Sequence, residues 1–345
     1  MIQKKTLVAL FFSAALLFTG CDKKTEAPAV VETATAVVEK VAKEVKEVKK
    51  EVVAESIPAT SQDIYVFTSD NSDGKITPKT IEDAFTEAGF YVSANNDMNF
   101  PYKRDFNNTE YDVYNLVAFY SPDIVAEFIT EFPKIGLFAP MSMSIYTKKG
   151  DKTISMATIS PKRISEITGI PADHAGWAKL DALITKAFTA AMPNGKLEML
   201  SNTKLDITEP IISEFQFEMT DEWEDEKEDF ENAFESALTP AGFAMPAFNE
   251  ITDELEDIGY DFYEVYSICK IPVIYTVSKD HPEAGAYAPC SLYVYKKEGE
   301  NTVHMGFPTV HNWLYSMGIK DEASRKVLLD AQATFVGILD KVSGK

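Results

Sequence analysis

The chain has 345 residues, 45% of them hydrophobic and 25% charged, with 16 Gly and 17 Pro. Those values exclude collagen-like, wholly disordered and multi-span membrane chains, and the length suggests about two domains. The formal charge of −21 repels phosphates and excludes non-specific nucleic-acid binding, and three cysteines are too few for a disulfide scaffold.

The first elements form an address. Lys4 and Lys5 make a positive start, and Leu7 to Phe18 is a twelve-residue apolar run, too short to span a bilayer but the right length for a secretory signal. It ends in Phe18-Thr19-Gly20-Cys21, which resembles a bacterial lipobox. Residues 1–20 are therefore expected to be a lipoprotein signal peptide, with Cys21 as the lipid attachment site and the mature N-terminus. Loss of Lys4 and Lys5 takes the charge from −21 to −23. The resemblance implies several acyl chains, enough for firm anchoring. The expected location is the cell envelope, lipid-anchored to a bacterial membrane, with a periplasmic soluble part.

Residues 21–60 read as a charged tether. Val38, Val41, Val45, Val48 and Val52 are spaced 3, 4, 3, 4, a heptad seam of about two repeats where sustained coiled coils need three or four. A partly helical tether fits this pattern; a helix pairing with a partner or lying on a membrane surface are the alternatives.

An internal repeat follows. Residues 133–170 and 282–319 align at an offset of 149 without a gap, with 12 of 38 positions identical, among them Gly136/Gly285, Pro140/Pro289, Ser142/Ser291, Tyr146/Tyr295 and Gly169/Gly318. Upstream the match runs at 152 for Tyr111–Tyr114 against Tyr263–Tyr266, and at 153 for Glu87–Phe90 against Pro240–Phe243. A period near 150 is one module duplicated, at 61–195 and 205–345, not a solenoid.

The module's elements can be read in order. Ile64–Thr68 is an apolar strand and Asp70–Gly74 a turn. Thr77 caps a helix with Pro78 at its first position, and Gly89 ends it. Strands begin at Phe90 and at Val113, and a short helix follows Pro122. Strands around 143–146 and 153–156 flank Lys149-Gly150-Asp151 as a hairpin. Helices around 160–168 and 173–190 close the copy, and Glu322–Val342 closes the second. Hairpins dominate, so the expected class is α+β: two tandem copies of a mostly antiparallel sheet with helices packed on it. The copies are expected to share a fold and to pack as an intrachain pseudo-dimer, since duplicated modules keep an isologous contact.

Gly89–Ser93, Tyr-x-Val-Tyr, P-x-x-G-x-x-A-P and a Tyr-bearing strand before a Gly hairpin together resemble the family catalogued as domain of unknown function 302, over about 63–190 and 211–341. The resemblance implies a compact α+β domain and no established activity. Members typically show a Pro-Cys pair, here Pro289-Cys290, where copy 1 has Pro140-Met141. They also show Cys-x-Pro after the third strand. Cys269-Lys-Ile-Pro272 carries one residue more, and copy 1 has Tyr120-Ser-Pro122.

Cys269 and Cys290 are the thiols left after Cys21, and a structural disulfide, two separate buried thiols, and a redox or metal-binding pair all remain open. No CxxC occurs. Of His174, His281, His304 and His311, His304 falls on the strand flanking that of Cys290. Cys269, Cys290 and His304 could thus converge, although no spacing matches a metal motif. Ser69–Ile76 lacks the first and twelfth carboxylates of a calcium loop and reads as a turn. Asp221–Glu235 is acidic, but Trp223, Phe230, Phe234 and Leu238 share one helical face, so the charges are its solvated side. Asp105–Thr109 resembles an extended bacterial N-glycosylation sequon.

No nucleophile elbow, Walker loop, H-E-x-x-H or dinucleotide fingerprint occurs, and no cofactor is indicated. The pattern points to a non-catalytic, membrane-anchored binding or interaction module with an unidentified protein or small-molecule partner. The alternative is a thiol-redox or metal-linked protein centred on Cys269/Cys290. Copy 2 is the expected functional half, with a candidate ligand or redox site at Cys269, Tyr287, Cys290 and His304.

Overall fold

The computed structural model describes residues 62–344 except 202, 221 and 256; Cys21, the signal segment and the tether lie outside the described residues. Module 1 comprises β1 (Ile64–Asp70), α1 (Pro78–Ala88), β2 (Tyr91–Asp97), α2 (Asn99–Phe106), β3 (Tyr111–Tyr120), α3 (Pro122–Phe128), β4 (Met141–Lys148), β5 (Thr153–Ile159), α4 (Pro161–Thr168) and α5 (Ala175–Ala191). A short strand in the connection, β6 (Lys196–Glu198), pairs with β1. Module 2 comprises β7 (Ile212–Glu218), α6 (Trp223–Leu238), β8 (Ala244–Glu250), α7 (Ile251–Glu254), β9 (Tyr260–Cys269), α8 (Ile271–Ser278), β10 (Cys290–Lys297), β11 (Thr302–Pro308), α9 (His311–Met317) and α10 (Glu322–Val342).

Local sequence explains the element ends. Thr77 caps α1 in a capping box with Thr80, Pro78 opens the helix, and Gly89 closes it at φ 115, a left-handed backbone that a side chain would strain. Asp321 caps α10 through the Ser324 amide.

The strand order is β2-β3-β4-β5-β1-β6 in the first sheet and β7-β11-β10-β9-β8 in the second. Every ladder is antiparallel. Reversed, the second order superposes on the first element for element, with β6 as the one addition, so the fold is α+β with two copies of one architecture. In module 1 the apolar face of α1 (Ile81, Phe85) and α5 (Leu180, Ile184, Phe188) covers the sheet. In module 2, Phe230 and Phe234 of α6 and Phe335 and Leu339 of α10 do the same.

Register corrects one sequence alignment. Tyr114 pairs with Tyr146 and Tyr263 pairs with Tyr295, so the equivalent of Tyr114 is Tyr263 and the offset stays at 149 through the third strand, not 152. The expected 153 holds at the second strand, where Tyr91 pairs with Tyr120 and Ala244 with Cys269. The difference of four is taken up between these strands, where the eight-residue α2 of module 1 is replaced by the four-residue α7.

The modules contact through a 3-10 turn of each, Pro133–Phe138 and Pro282–Ala286, laid on the sheet of the other. Hydrogen bonds across the contact are reciprocal. Tyr111 donates to the Ser278 carbonyl and Tyr260 to that of Ile129. Tyr114 donates to the Pro282 carbonyl and Tyr263 to that of Pro133. Ser142 Oγ donates to the Pro289 carbonyl at 2.6 Å and Ser291 Oγ to the Pro140 carbonyl at 2.8 Å. Each donor and acceptor in one bond has its equivalent, 149 residues away, in the other. Burial pushes the Tyr114 and Tyr263 hydroxyls well above their ordinary pKa, which keeps them donors. The approach is close enough that a Cβ on Gly136 would meet the Tyr263 ring and one on Gly285 would meet Ser144 and Leu116.

Candidate functional site: an apolar pocket in module 2

The end of β9 and the start of β10 meet α8, α9 and α10 around a small apolar pocket of about 60 Å³. Cys269 and Cys290 both line it, with Phe243, Phe307, Trp313 and Phe335 among the aromatic walls. Strand register explains why space opens here. Module 1 carries Phe119, Tyr120 and Met141 at the places where module 2 has Ile268, Cys269 and Cys290. Two exchanges run the other way, with Phe307 for Thr158 and Trp313 for Ile164, so the lining is reshaped rather than merely emptied.

Both thiols are free, so the disulfide alternative is not formed. Cys269 is buried and Cys290 half-buried, and the Cys290 Sγ faces the Tyr287 carbonyl at 3.3 Å. Burial in apolar surroundings pushes both thiols up to about 12. Thiolate is the nucleophile and the metal ligand, so at neutral pH these protonated sulfurs behave as small apolar groups.

His304 does not join them. It pairs with Tyr295 in the ladder, five residues along β10 from Cys290, which at about 3.3 Å per residue is roughly 17 Å away. Its ring stacks on Tyr295 with centroids 4.9 Å apart, and Nδ1 meets Gln216 Nε2 at 3.0 Å. Desolvation lowers its pKa. The convergence of Cys269, Cys290 and His304 expected from the hairpin therefore does not occur: pairing puts two strands side by side but says nothing of height along them. Among the described residues no group of three His, Cys, Asp or Glu comes together in a way that would hold a metal ion.

Tyr287 stands behind the pocket. Its ring stacks on Trp313 with centroids 6.1 Å apart, and its hydroxyl meets Ser316 Oγ at 2.7 Å. Ser316 Oγ in turn donates to Asp63 Oδ2 at 2.7 Å. Burial pushes the Tyr287 hydroxyl up to about 12. This begins a buried polar network that joins the modules. Asp63 also pairs with Lys204 and lies 3.7 Å from Arg163 Nε. Arg163, 1% exposed, donates to Asn312 Oδ1 at 2.8 Å and to Glu166 at 2.9 Å. Asp63, Arg163, Asn312 and Ser316 were not singled out by sequence. The available signal was that Arg163 and Asn312 occupy the same aligned position of the repeat, polar in both copies.

Module 2 holds a second buried charge cluster. Glu264 is fully buried, ion-paired with Lys227 and accepting from the Tyr266 hydroxyl at 2.7 Å. Lys227 also reaches Glu231 at 2.9 Å and Glu250 at 3.5 Å. Both partners are pushed up, which favours charge on Lys227 and neutrality on Glu264. Lys227 is pushed up because, against its own desolvation, Glu264 and Glu231 hold it charged. Glu264 is pushed up because burial, and then Glu231, penalise its charged form. Burial prevails at Glu264, since one ammonium is divided among three carboxylates. The equivalent residue in module 1 is Asn115.

Residues 222–342 match the model of the family described as Domain of unknown function DUF302. The chain is DUF302-like. The match takes in the whole pocket and leaves out β7; module 1 lies outside it and shares the strand order of module 2. Among solved structures, the chain is similar to the crystal structure of uncharacterized conserved protein DUF302 from Bacillus stearothermophilus, at 20% identity over 38% of this chain and 98% of that one, with a TM-score of 0.32. No curated protein matches the chain. Among the described residues of this DUF302-like chain, no helix is long and apolar enough to cross a membrane.

Proposed function

We propose that the protein is a membrane-anchored lipoprotein of the cell envelope, attached through lipid at Cys21, and that it works as a non-catalytic small-molecule binding protein. The modules form an intrachain pseudo-dimer in which module 1 serves as scaffold and the pocket of module 2 is the binding site. The observation that carries this reading is the exchange of Tyr120 and Met141 for Cys269 and Cys290 beside a pocket whose lining is almost wholly apolar. Small-ligand sites are concave, mostly apolar and few per protein. Thiols held protonated favour this reading over redox or metal chemistry.

Two substitutions test it. Cys290→Met restores the module 1 residue and fills the pocket; it should reduce binding of an environment-sensitive apolar dye at least tenfold while the thermal midpoint stays within a few degrees. Unchanged dye binding would place the site elsewhere. Cys21→Ser, expressed in the native host, should release the protein from membranes, and retention after a salt wash would refute the anchor.

A further inference from the structure

A second cavity lies on the seam between the modules, and it does not depend on the binding reading above. β2 and β8, outer strands of the two sheets, approach each other. Pseudo-symmetry makes two related places there, one on each side of the approach. On one side Tyr91 and Tyr120 of module 1 stand edge to face with ring centroids 5.5 Å apart, and the Tyr120 hydroxyl donates to Glu254 of module 2. Tyr91 pairs with Tyr120 as Ala244 pairs with Cys269, so Ala244 and Cys269 are the counterparts of these tyrosines. Both rings are therefore missing on the other side. A groove of about 360 Å³ stands open there, between Ala244, Pro246 and Cys269 of module 2 and Asn96, Phe100 and Arg104 of module 1.

The walls define what fills the groove. Two ring positions are vacant, and Phe100 at the wall is 69% exposed, an aromatic face without cover. Counted from β2 and β8, Pro101 stands at the place of Glu254, so the acceptor that takes the tyrosine hydroxyl is gone. In exchange α2, longer than α7, brings Arg104. Its Nε and Nη2 donate to Asp105 at 2.6 Å and 2.7 Å, so its charge is already answered and Nη1 is the uncommitted nitrogen among the described residues. The Asn96 side-chain amide also has no partner among the described residues. Asp97 borders the groove as well, so an added anion would sit beside two carboxylates with one guanidinium to share. A neutral ring whose oxygen accepts from Arg104 or Asn96 meets every one of these conditions. We infer that the groove binds a neutral aromatic compound with an oxygen substituent, its ring system in the place of the missing tyrosines.

The experiment titrates the chain from Asp22 onward calorimetrically with 2-naphthol, the saturated decahydro-2-naphthol and the anion 2-naphthoate. 2-Naphthol should bind about fivefold more tightly than decahydro-2-naphthol, the margin that ring contacts supply, and about tenfold more tightly than 2-naphthoate. Ala244→Tyr returns the module 1 ring to an exposed position and should weaken 2-naphthol about tenfold by occupying its place. Phe100→Ala removes one wall and should weaken it about threefold. Both changes are at exposed residues, and matching thermal midpoints show that the variants fold. Cys290→Met, which fills the pocket behind Cys269, should leave 2-naphthol binding unchanged. If Cys290→Met abolishes it and Ala244→Tyr does not, the ring belongs to that pocket; the groove proposal then falls and the binding reading stands. Tighter binding of 2-naphthoate would overturn the neutral class, and equal binding of decahydro-2-naphthol would overturn the aromatic one. No binding of 2-naphthol would overturn the proposal as a whole.

Discussion

At equivalent places along the third and fourth strands, module 1 carries Phe119, Tyr120 and Met141, and module 2 carries Ile268, Cys269 and Cys290. Module 1 keeps Asn115 hydrogen-bonded to Asn95 at 2.9 Å, where module 2 buries Glu264. The backbone architecture and the reciprocal contacts are common to both. What differs is which half tolerates space, and a buried carboxylate, at these sheet positions. One copy supplies the filled packing there, and the other departs from it around a pocket. Duplication thus separates holding the fold from offering a site, which a single module has to do at once.

The largest test of this comparison is the shared seam. Arg163→Met removes the cation between Asp63, Glu166 and Asn312 and leaves Asp63 with Lys204 and the Ser316 hydroxyl as partners. The expected loss is about 3 kcal/mol, near the lower end for breaking a buried pair, and chemical denaturation should read it across the whole chain. A loss below about 1 kcal/mol would mean that the network does not hold the modules together.

Glycine at the seam sharpens the comparison. Gly136→Ala and Gly285→Ala each insert a methyl into the other module, against the Tyr263 ring in one case and against Ser144 and Leu116 in the other. Each should destabilise by about 1–3 kcal/mol, as overpacking does. Gly285→Ala should cost more, because the atoms it meets include the Ser144 backbone while a Tyr ring can tilt. The reverse ranking in matched unfolding curves would contradict a seam that is equally rigid on both sides.

The smallest effect is a difference in pH dependence. Glu264 has a folded pKa raised above its unfolded value of about 4.5. The folded state therefore keeps a proton that the unfolded state gives up as pH rises, and stability falls with pH from the ordinary carboxylate range upward. Glu264→Gln keeps the shape and cannot titrate. Its thermal midpoint relative to the native chain should rise between pH 5 and pH 8 by a few degrees. A difference independent of pH would show that Lys227 holds Glu264 ionised throughout.

How much of this was legible in the sequence depended on how local the cause was. Thr77, Pro78 and Gly89 bound α1 because caps and φ restrictions act within a turn, and Glu322–Val342 was readable for the same reason. The helix Asn99–Phe106 was not, since it carries Pro101 inside its first turn and Met98 at its cap with no side-chain bond. The third-strand slip has a simple origin: Tyr260, Tyr263 and Tyr266 recur every three residues, so Tyr111 and Tyr114 match them equally well at 149 and at 152. Only the ladder decides. At the site, Cys269, Cys290 and Tyr287 were visible as residues, and the first two do share the pocket. Arg163 reads as a surface cation until the second module covers it.

Arg163 and Asn312 are themselves equivalent positions, and they touch each other. A residue that meets its own counterpart lies close to the axis relating the two halves. In an assembly of two identical chains, such a residue faces an identical copy of itself. Arginine would then confront arginine, two cations in a buried space, and asparagine would confront asparagine with no guanidinium beside Asp63. Fusion into one polypeptide lifts that constraint, because each side of the axis can be written separately. The donor can sit on one side and the acceptor on the other, a division of labour closed to a symmetric pair.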